Sequence, residues 1–376
     1  MLTLPLAIGD QKQRGPGTGV ATYSSALAGA LEREGRKWLA LDPSGADLPR
    51  LKRWLHAARP DVREARRSDD AILCPDLFRE AQVHFDIWRR PMEIACPGEP
   101  GIVHWTYPVP IRLRGWHNVY TIHDTIPIDH PSLSPIKSGR FRRMLDALIA
   151  GASRIVTVSA ASKSDIERIF ALPSGFVVNL GEAVDVVHRP TGLPSGLVHR
   201  RYLLHCGSIE PRKNIGRLIE AWRESGATLP LLLAGPAGWR SPPILASARN
   251  DVIHLDYLPR DALLTLIASA RALVMPSLTE GFGLPVAEAM ALGTPVVTSS
   301  EGALAETAGG AALTVAPRDT TALAAALRRV ANDDLLCERL AVAGKARAVA
   351  FSIDAFGRRL TALYDQVGDE WLSTSR

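Results

Sequence analysis

The 376-residue chain has few cysteines and no spacing that would put them to chemical use. Cys74, Cys96, Cys206 and Cys337 lie far apart and form no Cys-x-x-Cys pair. Zinc knuckles and dithiol redox sites need closely spaced thiols, so the sequence excludes both. We expect reduced, mostly buried cysteines and a cytoplasmic protein.

Long hydrophobic runs are also missing. No stretch approaches the ~20 uninterrupted apolar residues that span a bilayer. The first ten residues lack both the basic start and the apolar length of a secretory signal. We therefore expect a soluble or peripheral protein, and its 46% hydrophobic composition is enough to fill two cores of ordinary domain size.

Neither sign of charge predominates. Lys and Arg number 44 against 39 Asp and Glu, which gives a net charge of +5 and a mixed surface. Nucleic-acid binders carry a concentrated basic face, often with interleaved aromatic residues for base stacking, and the chain lacks that pattern. We therefore do not expect nucleic acid as a partner.

Short apolar runs rich in β-branched residues alternate with helical patterns through the whole chain. This alternation predicts an α/β fold with parallel sheets. A segment rich in Pro and Gly divides the pattern, so we expect an N-terminal domain over 1–187, a linker over 188–200 and a C-terminal domain over 201–352. The predicted strands are Trp38–Leu41, Gly101–Trp105, Val119–His123, Arg154–Val158, Phe176–Leu180, Tyr202–Cys206, Leu229–Ala234, Val252–Leu255, Ala272–Met275 and Pro295–Thr298.

Helices are best marked in the second half. The spacing of apolar residues after Asn214 predicts a helix with one buried face, which Asn214 would cap. Asp261 is expected to cap a second helix in the same way. The alanine- and arginine-rich stretch over 320–350 predicts one or more surface helices.

Two glutamates eight positions apart, Glu280 and Glu288, enclose a glycine-rich turn that follows the predicted strand Ala272–Met275. A strand, a flexible turn and a helix start together make a site for polar ligands. The carboxylates would accept hydrogen bonds from hydroxyls, and the backbone N–H groups would meet hydroxyl or phosphate oxygens. These N–H groups belong to Phe282, Gly283 and Leu284. A nucleotide sugar offers both kinds of partner.

Arg212 and Lys213 lie between the strand Tyr202–Cys206 and the next predicted helix. The planar Arg fork and the Lys point charge suit an anion, a pyrophosphate in particular. The alternative is a solvated pair near a helix start, where cations are mildly unfavourable. The neighbouring glutamate turn favours the ligand.

Three runs of the sequence resemble the donor-binding half of the retaining glycosyltransferases of family four, which have the GT-B fold. The resemblance continues into the N-terminal half and covers most of the chain. It implies two Rossmann-like domains that face each other across a cleft, and a C-terminal helix over 353–376 that crosses back to the first domain. The three runs are Gly207-Ser208-Ile209-Glu210-Pro211-Arg212-Lys213-Asn214, Glu280-Gly281-Phe282-Gly283-Leu284 through Glu288, and Ala291-Leu292-Gly293-Thr294-Pro295-Val296-Val297.

The resemblance also implies roles for the motif residues. Glu280 would bind a hydroxyl of the donor sugar and Glu288 the ribose, while Arg212 and Lys213 would neutralise the diphosphate as it leaves. Many relatives carry Arg where this chain has Ser208, so the positive charge at that site is expected to rest on Arg212 and Lys213. The backbone groups expected to hold sugar hydroxyls and the distal phosphate are those of Phe282, Gly283 and Leu284.

The N-terminal half supplies a glycine loop and a histidine. Gly17 and Gly19 open a predicted helix, where a plain loop is the alternative; in the family this loop faces the donor phosphates and the acceptor. His123 ends a predicted strand, at the edge where ligands bind in parallel sheets. A structural histidine is the alternative, and the resemblance implies contact with the donor sugar. Asp124 would orient the His123 ring or serve the acceptor.

No Asp-x-Asp pair occurs in the sequence, so the metal-binding motif of the other major glycosyltransferase fold is absent. Arg212 and Lys213 would take the place of the cation, and we expect neither a metal nor another cofactor. In this family, retention of configuration is usually explained by front-face transfer, in which the leaving phosphate takes the acceptor proton. The alternative is that Glu280 acts as a covalent nucleophile.

The run Glu210-Pro211-Arg212-Lys213-Asn214 resembles bacterial members that transfer mannose from GDP-mannose during synthesis of cell-surface polysaccharide. The expected acceptor is a glycan or a polyprenyl-linked oligosaccharide. A UDP-sugar donor is the first alternative. A sugar-nucleotide epimerase of the same fold and a noncatalytic sugar-nucleotide sensor also stay open.

Two basic stretches in the N-terminal half would suit an anionic membrane surface on the inner face of the membrane. Nearby acidic residues dilute the first, so a solvated face is the alternative. The first contains Arg50, Lys52, Arg53, Arg59, Arg63, Arg66 and Arg67 with Leu51, Trp54 and Leu55 between them, and the second contains Lys137, Arg140, Phe141, Arg142 and Arg143.

Overall fold

The structure is a computed structural model that describes residues 4–9, 19–44, 49–248 and 251–374. Its two halves each contain a parallel sheet covered by helices on both faces. The predicted α/β class with parallel sheets is confirmed.

In the N-terminal half, eight strands pair in the order β11-β10-β9-β7-β1-β2-β5-β4, all parallel except β4 against β5. A small parallel sheet, β3-β6-β8, lies beside it. The strands are β1 (Leu6–Gly9), β2 (Leu39–Asp42), β3 (Arg63–Glu64), β4 (Arg66–Arg67), β5 (Ala71–Leu73), β6 (Met92–Ala95), β7 (Ile102–Trp105), β8 (Ile111–Leu113), β9 (His117–Thr121), β10 (Arg154–Thr157) and β11 (Val177–Asn179).

In the C-terminal half, six parallel strands pair in the order β14-β13-β12-β15-β16-β17. The chain reverses direction across the sheet between β12 and β15, and ligands bind at such a switch point in open parallel sheets. The strands are β12 (Leu203–Cys206), β13 (Leu231–Ala234), β14 (Val252–Leu255), β15 (Ala272–Met275), β16 (Val296–Ser299) and β17 (Leu313–Val315).

Helices connect most of the strands. Those of the N-terminal half are α1 (Gly19–Arg33), α2 (Arg50–Ala57), α3 (Leu77–Trp88), α4 (Ile126–Asp129), α5 (Ser138–Ile149) and α6 (Ala160–Phe170). Those that follow are α7 (Ile215–Ser225), α8 (Ser241–Ala248), α9 (Arg260–Ser269), α10 (Leu284–Leu292), α11 (Gly302–Ala308), α12 (Thr320–Asn332), α13 (Asp334–Ala348) and α14 (Ile353–Thr374). Short 3₁₀ turns lie at Pro131–Leu133, Pro211–Lys213 and Val349–Phe351.

The central strands are apolar on both sides because helices cover both faces of each sheet. All four residues of β12, β13 and β15 are buried, and Leu203, Leu231 and Ala272 pack against α7 and α12 on one face. On the other face the sheet packs against α9, α10 and α11. Because the middle of the sheet is buried in this way, ligands are expected at the strand ends and the loops after them.

The last helix, α14, packs against α1 of the N-terminal half. Phe356, Leu360 and Tyr364 of α14 share one core cluster with Leu27 of α1 and with Phe282 of the C-terminal half. The two halves are therefore joined by a common apolar cluster as well as by the chain. In the described part of the chain, no helix combines the length and the apolar character needed to cross a bilayer.

Over the described ranges, the predicted capping bonds are absent at both helices, although Asn214 does hold the N-cap position of α7. Asn214 adopts the left-handed conformation, with φ 59° and ψ 28°, and its side-chain amide donates to the carbonyls of Pro276 and Pro317 at 3.0 and 2.6 Å. A cap must instead accept a bond from an N–H two or three residues ahead. Asp261 lies inside α9, whose N-cap position is held by Pro259.

The strand predictions are right in position and differ by one or two residues at their ends, except for β14 and β15, whose bounds agree. The strands that were not predicted are β1, β3, β4, β5, β6, β8 and β17. Each has two to four residues, too few for an alternating pattern to be read. The stretch over 320–350 forms two helices, α12 and α13.

Candidate active site

A cleft of about 540 Å³ lies where the carboxyl ends of both sheets face each other. It is lined by loops that follow β9 and β11 on the N-terminal side and β12, β13, β14 and β15 on the C-terminal side. The switch point between β12 and β15 lies at this cleft, because Arg212 follows β12, Glu280 follows β15, and both line it.

On the C-terminal side, a compact charge cluster links these two loops. Glu280 binds both neighbouring cations: its Oε2 accepts from Arg212 Nη1, and its Oε1 accepts from Lys213 Nζ at 2.7 Å. Arg212 Nη2 also donates to Glu210 Oε1 at 2.6 Å, and its carbonyl accepts from the Leu278 N–H at 2.9 Å. The loop after β12 is thus fastened to the loop after β15 by side chains and by backbone.

Burial alone would raise the pKa of Glu280, but Arg212 and Lys213 more than offset it and lower the pKa to about 2. Burial works against the charge of Arg212 too, yet the carboxylates of Glu280, Glu210 and Asp124 raise its pKa above the ordinary value. Glu280 and Arg212 therefore both carry their charge at neutral pH. The cluster offers nitrogen donors and carboxylate acceptors to the same ligand.

Glu288 lies in the second turn of α10, is 3% exposed, and accepts a bond from Arg260 Nη2 at 2.6 Å. Burial raises its pKa, and the charge of Arg260 acts in the opposite direction. Arg260 opens α9, directly after the loop that follows β14. This second carboxylate also lines the cleft.

The turn between the glutamates requires glycine at two positions. A Cβ on Gly281 would lie 2.7 Å from the carbonyl oxygen of His123, so the backbone of this turn passes directly against the N-terminal side of the cleft. Gly283 holds φ 103° at the start of α10, in the left-handed region, and a Cβ there would meet Leu304 at 2.5 Å. The Phe282 ring packs into the shared core against Phe351, with ring centroids 5.3 Å apart, and Phe282 also lines the cleft.

On the N-terminal side, His123 follows β9. Its Nε2 lies 2.9 Å from the carbonyl oxygen of Thr106, which can only accept, so Nε2 carries the proton. The ring meets Tyr23 edge to face at 4.9 Å, and Nδ1 lies 3.6 Å from Glu182 Oε1. Asp124 accepts from the N–H of Ile126 in its own turn, and burial raises its pKa.

The structure brings most of the residues selected from the sequence into this one cleft. Gly19 is the first residue of α1, and a Cβ added to it would lie 3.8 Å from Cδ1 of Leu284. Gly17 lies outside the described residues. The selected residues that line the cleft are Gly19, His123, Ser208, Arg212, Lys213, Glu280, Phe282, Gly283, Leu284 and Glu288.

Sequence reasoning gave no role to three polar residues of this site. Glu182 lies just after β11, Glu210 precedes Arg212, and Arg260 opens α9 after β14. Glu182 and Arg260 follow the carboxyl ends of strands, so examining every strand end for charged residues would have selected both. Within the described ranges, no group of three or more His, Cys, Asp or Glu side chains could hold a metal ion.

Known proteins match both the sequence and the fold. The family described as glycosyl transferases group 1 matches residues 200–333. O-antigen chain mannosyltransferase B of Escherichia coli is 34% identical over 252 residues, which cover 62% of this chain and 66% of that protein. The MMP alpha-(1->4)-mannosyltransferase of Mycolicibacterium hassiacum is 35% identical over 56% of this chain and 54% of its own length. The chain thus spans between half and two thirds of these two relatives.

A longer match is with the glycogen synthase of Mycobacterium tuberculosis, 30% identical over 311 residues, or 77% of this chain and 74% of that enzyme. Among solved structures, sucrose-phosphate synthase of Thermosynechococcus elongatus has a TM-score of 0.70 at 20% identity, covering 98% of this chain and all of that one. HepE of Anabaena, solved with UDP and glucose, has a TM-score of 0.67 at 17% identity, covering 96% and 100%. At these identities the structures show the fold alone. The chain belongs to the group 1 glycosyltransferases and has the GT-B fold.

Proposed function

We propose that this protein transfers mannose from GDP-mannose, with retention of configuration, to a glycan or polyprenyl-linked acceptor in cell-surface polysaccharide synthesis. The observation that carries the transferase assignment is the cluster of Arg212, Lys213 and Glu280 in the interdomain cleft. It puts two cations, for a diphosphate, beside a carboxylate, for sugar hydroxyls. The similarity to O-antigen chain mannosyltransferase B supports mannose as the sugar.

Arg212 and Lys213 have more N–H groups than the bonds within the cluster use, so some can bind a diphosphate. Arg offers five N–H groups and Lys three, and only some of them are used within the cluster. Arg212 donates hydrogen bonds to Glu280, Glu210 and the Thr279 carbonyl, and Lys213 donates one to Glu280. We infer that the remaining N–H groups bind the phosphates and stabilise the charge that develops as the nucleoside diphosphate leaves. This supports transfer that needs no metal.

Glu280 is poorly suited to act as a nucleophile. Both of its oxygens accept bonds from cations and its pKa is lowered to about 2, so it is a weak nucleophile, although its remaining lone pairs can still accept a bond from a hydroxyl. A front-face reaction, in which the leaving phosphate takes the acceptor proton, needs no nucleophilic side chain. The contacts of Glu280 therefore favour that course over a covalent glycosyl-enzyme.

The test is to incubate the protein with GDP-mannose or UDP-glucose, with and without a polyprenyl-linked oligosaccharide. We expect GDP-mannose to raise the melting temperature, and mannose to reach the acceptor with an α-linkage in the presence of EDTA. Failure of every nucleotide sugar to shift the melting temperature would contradict a donor-binding role. Loss of transfer in EDTA with recovery in Mg²⁺ would contradict metal independence.

UDP-sugar transfer is the second candidate, and the likeness to HepE, solved with UDP and glucose, favours it. The same incubation separates the two, because the preferred donor will be the one that is consumed when acceptor is present. Formation of a free epimer without acceptor would instead indicate an epimerase. Binding without turnover under any condition would indicate a sensor.

We also propose that the protein docks on the anionic inner face of the membrane through α2. Leu51, Trp54 and Leu55 share one face of this helix and are 71%, 53% and 50% exposed, beside the exposed Lys52. Exposed apolar residues next to a cation fit the headgroup region of an anionic bilayer. Several cations of the two basic stretches are engaged within the protein instead: Arg53 with Asp76, Arg63 with Glu80 and Arg140 with Asp86.

Co-sedimentation with phosphatidylglycerol vesicles tests this surface. We expect binding that salt weakens and that the triple change of Leu51, Trp54 and Leu55 to Ser abolishes. Leu335→Ser with Val342→Ser removes equally exposed apolar residues from α13 and should leave binding unchanged. Full recovery of the wild-type protein in the supernatant would contradict the proposal.

A further inference from the structure

Glu182 is a buried carboxylate in the cleft to which no role has been given. It follows β11 at the carboxyl edge of the eight-stranded sheet and is 5% exposed. Its Oε2 has no hydrogen-bond partner within the described part of the chain. A buried charge without a partner is costly, so a carboxylate kept in this state indicates that a ligand completes it.

The other two buried glutamates of the cleft each have a cation. Glu280 is held by Arg212 and Lys213, and Glu288 by Arg260. Among the described residues, the basic group nearest to Glu182 is His123, whose Nδ1 lies 3.6 Å from Oε1, beyond an ordinary hydrogen bond. Of the three carboxylates, Glu182 therefore has the most acceptor capacity left for a substrate.

The chemistry of this pair selects its ligand. His123 Nε2 donates to the carbonyl oxygen of Thr106, and in the tautomer with that single ring proton Nδ1 is an acceptor. The carboxylate of Glu182 accepts as well. Phosphate oxygens are acceptors too and would find no donor here, whereas a hydroxyl group donates and fits.

We propose that Glu182 is a substrate-binding residue that accepts a hydrogen bond from a ring hydroxyl of the nucleotide sugar, with His123 positioned beside it by Thr106. This inference rests on the proposed function. The hydroxyl belongs either to the transferred sugar or to the ribose. Glu182 and Glu288, to which the resemblance assigns the ribose, both line this cleft, so a ribose hydroxyl is a candidate beside those of the transferred sugar.

Calorimetric titration with GDP-mannose and with GDP distinguishes the two sources. Hydrogen bonds to charged groups are strong enough that Glu182→Gln and Glu182→Ala should each weaken GDP-mannose binding about tenfold or more. Unchanged GDP binding would place the contact on the transferred sugar. Equal weakening for both ligands would place it on the ribose if one deoxy analogue of GDP also behaves as expected. The analogue that lacks the contacted hydroxyl, 2′-deoxy- or 3′-deoxy-GDP, should bind to Glu182→Gln as tightly as to wild type.

Asp185→Asn is the matched control, because Asp185 lies three residues further along and pairs with Arg33 on the surface at 3.6 Å. It should bind both ligands as wild type does. If Glu182→Gln and Glu182→Ala also bind both ligands as wild type does, the assignment of Glu182 is overturned. The assignment is also overturned if GDP and GDP-mannose are weakened equally and both deoxy analogues of GDP still bind Glu182→Gln less tightly than wild type. That pattern would indicate a structural defect. Wild-type protein that binds neither ligand would instead overturn the proposed donor.

Discussion

The two sides of the cleft are held together by different forces. On the C-terminal side, Arg212, Lys213 and Glu280 form a network of paired charges within two loops. On the N-terminal side, the support beneath His123 is a chain of neutral groups. It runs from Tyr23 through Thr121 and His104 to Tyr364 of α14, with distances of 3.2, 2.7 and 2.6 Å.

This contrast follows from the chemistry that each side faces. Paired charges are already oriented when a leaving diphosphate develops its charge, so they stabilise it without reorganisation. A buried neutral network contributes no field of that kind, but it fixes the geometry of the groups above it. The Tyr23 ring, which contacts His123, is held in this way by a helix that arrives from the other end of the chain.

We expect the largest loss of activity when a cation is removed from the charged C-terminal side. Lys213→Ala should lower kcat/KM for the donor by about 100- to 1000-fold, the usual cost of losing a group that stabilises developing charge. Lys213 is buried and donates to Glu280, so no surface lysine is expected to replace it. Steady-state kinetics would measure the loss.

Arg223→Ala serves as its control, since Arg223 pairs with Asp251 at 2.8 Å on the surface of the same half. It should retain wild-type kinetics. Wild-type activity in Lys213→Ala would show that the charge cluster is structural, and the contrast between the two sides would then lose its functional meaning.

The two glutamates should separate turnover from binding. Glu280→Gln removes the carboxylate nearest the cations and should chiefly lower kcat, while the freed Arg212 and Lys213 keep donor binding strong. Glu288→Gln weakens its bond to Arg260 and should chiefly raise the donor KM, by about tenfold. Donor titration and initial rates on both variants would measure this division, and equal changes in kcat and KM in both would contradict it.

The same contrast explains what the sequence could predict. Glu280, Arg212 and Lys213 lie in loops directly after β12 and β15, so their motifs are short and could be recognised in the chain. Ala272–Met275 and Val252–Leu255 were predicted with their observed bounds because each is a short, mostly apolar run with polar residues or proline at its ends. The C-terminal side of the cleft can therefore be recognised from short, contiguous stretches of the sequence.

The N-terminal side is assembled from distant residues. His104 and Tyr364 are 260 positions apart, and Glu182 meets His123 only because β9, β10 and β11 pair side by side. Such contacts depend on tertiary packing and leave no spacing to read. The Asn214 cap failed for a related reason, since its amide is drawn to the carbonyls of Pro276 and Pro317 from other loops.

The neutral network on the N-terminal side should show itself in how the free energy of unfolding depends on pH, rather than in enzyme kinetics. Burial lowers the pKa of His104 from 6.5 to about 3, with a smaller contribution from His123, so the folded protein keeps this ring neutral while the unfolded chain protonates it. Its contribution to the free energy of unfolding is complete above pH 6.5 and is lost as the pH falls toward 3, by roughly 1 kcal/mol per pH unit. His104→Gln should flatten the fall in stability between pH 6.5 and 4.5, measured by urea unfolding at each pH. His130→Gln, at an exposed position, should leave that fall as in wild type. An unchanged slope in His104→Gln would mean that the network under His123 opens to water, and that the two sides of the cleft differ less than their bonding indicates.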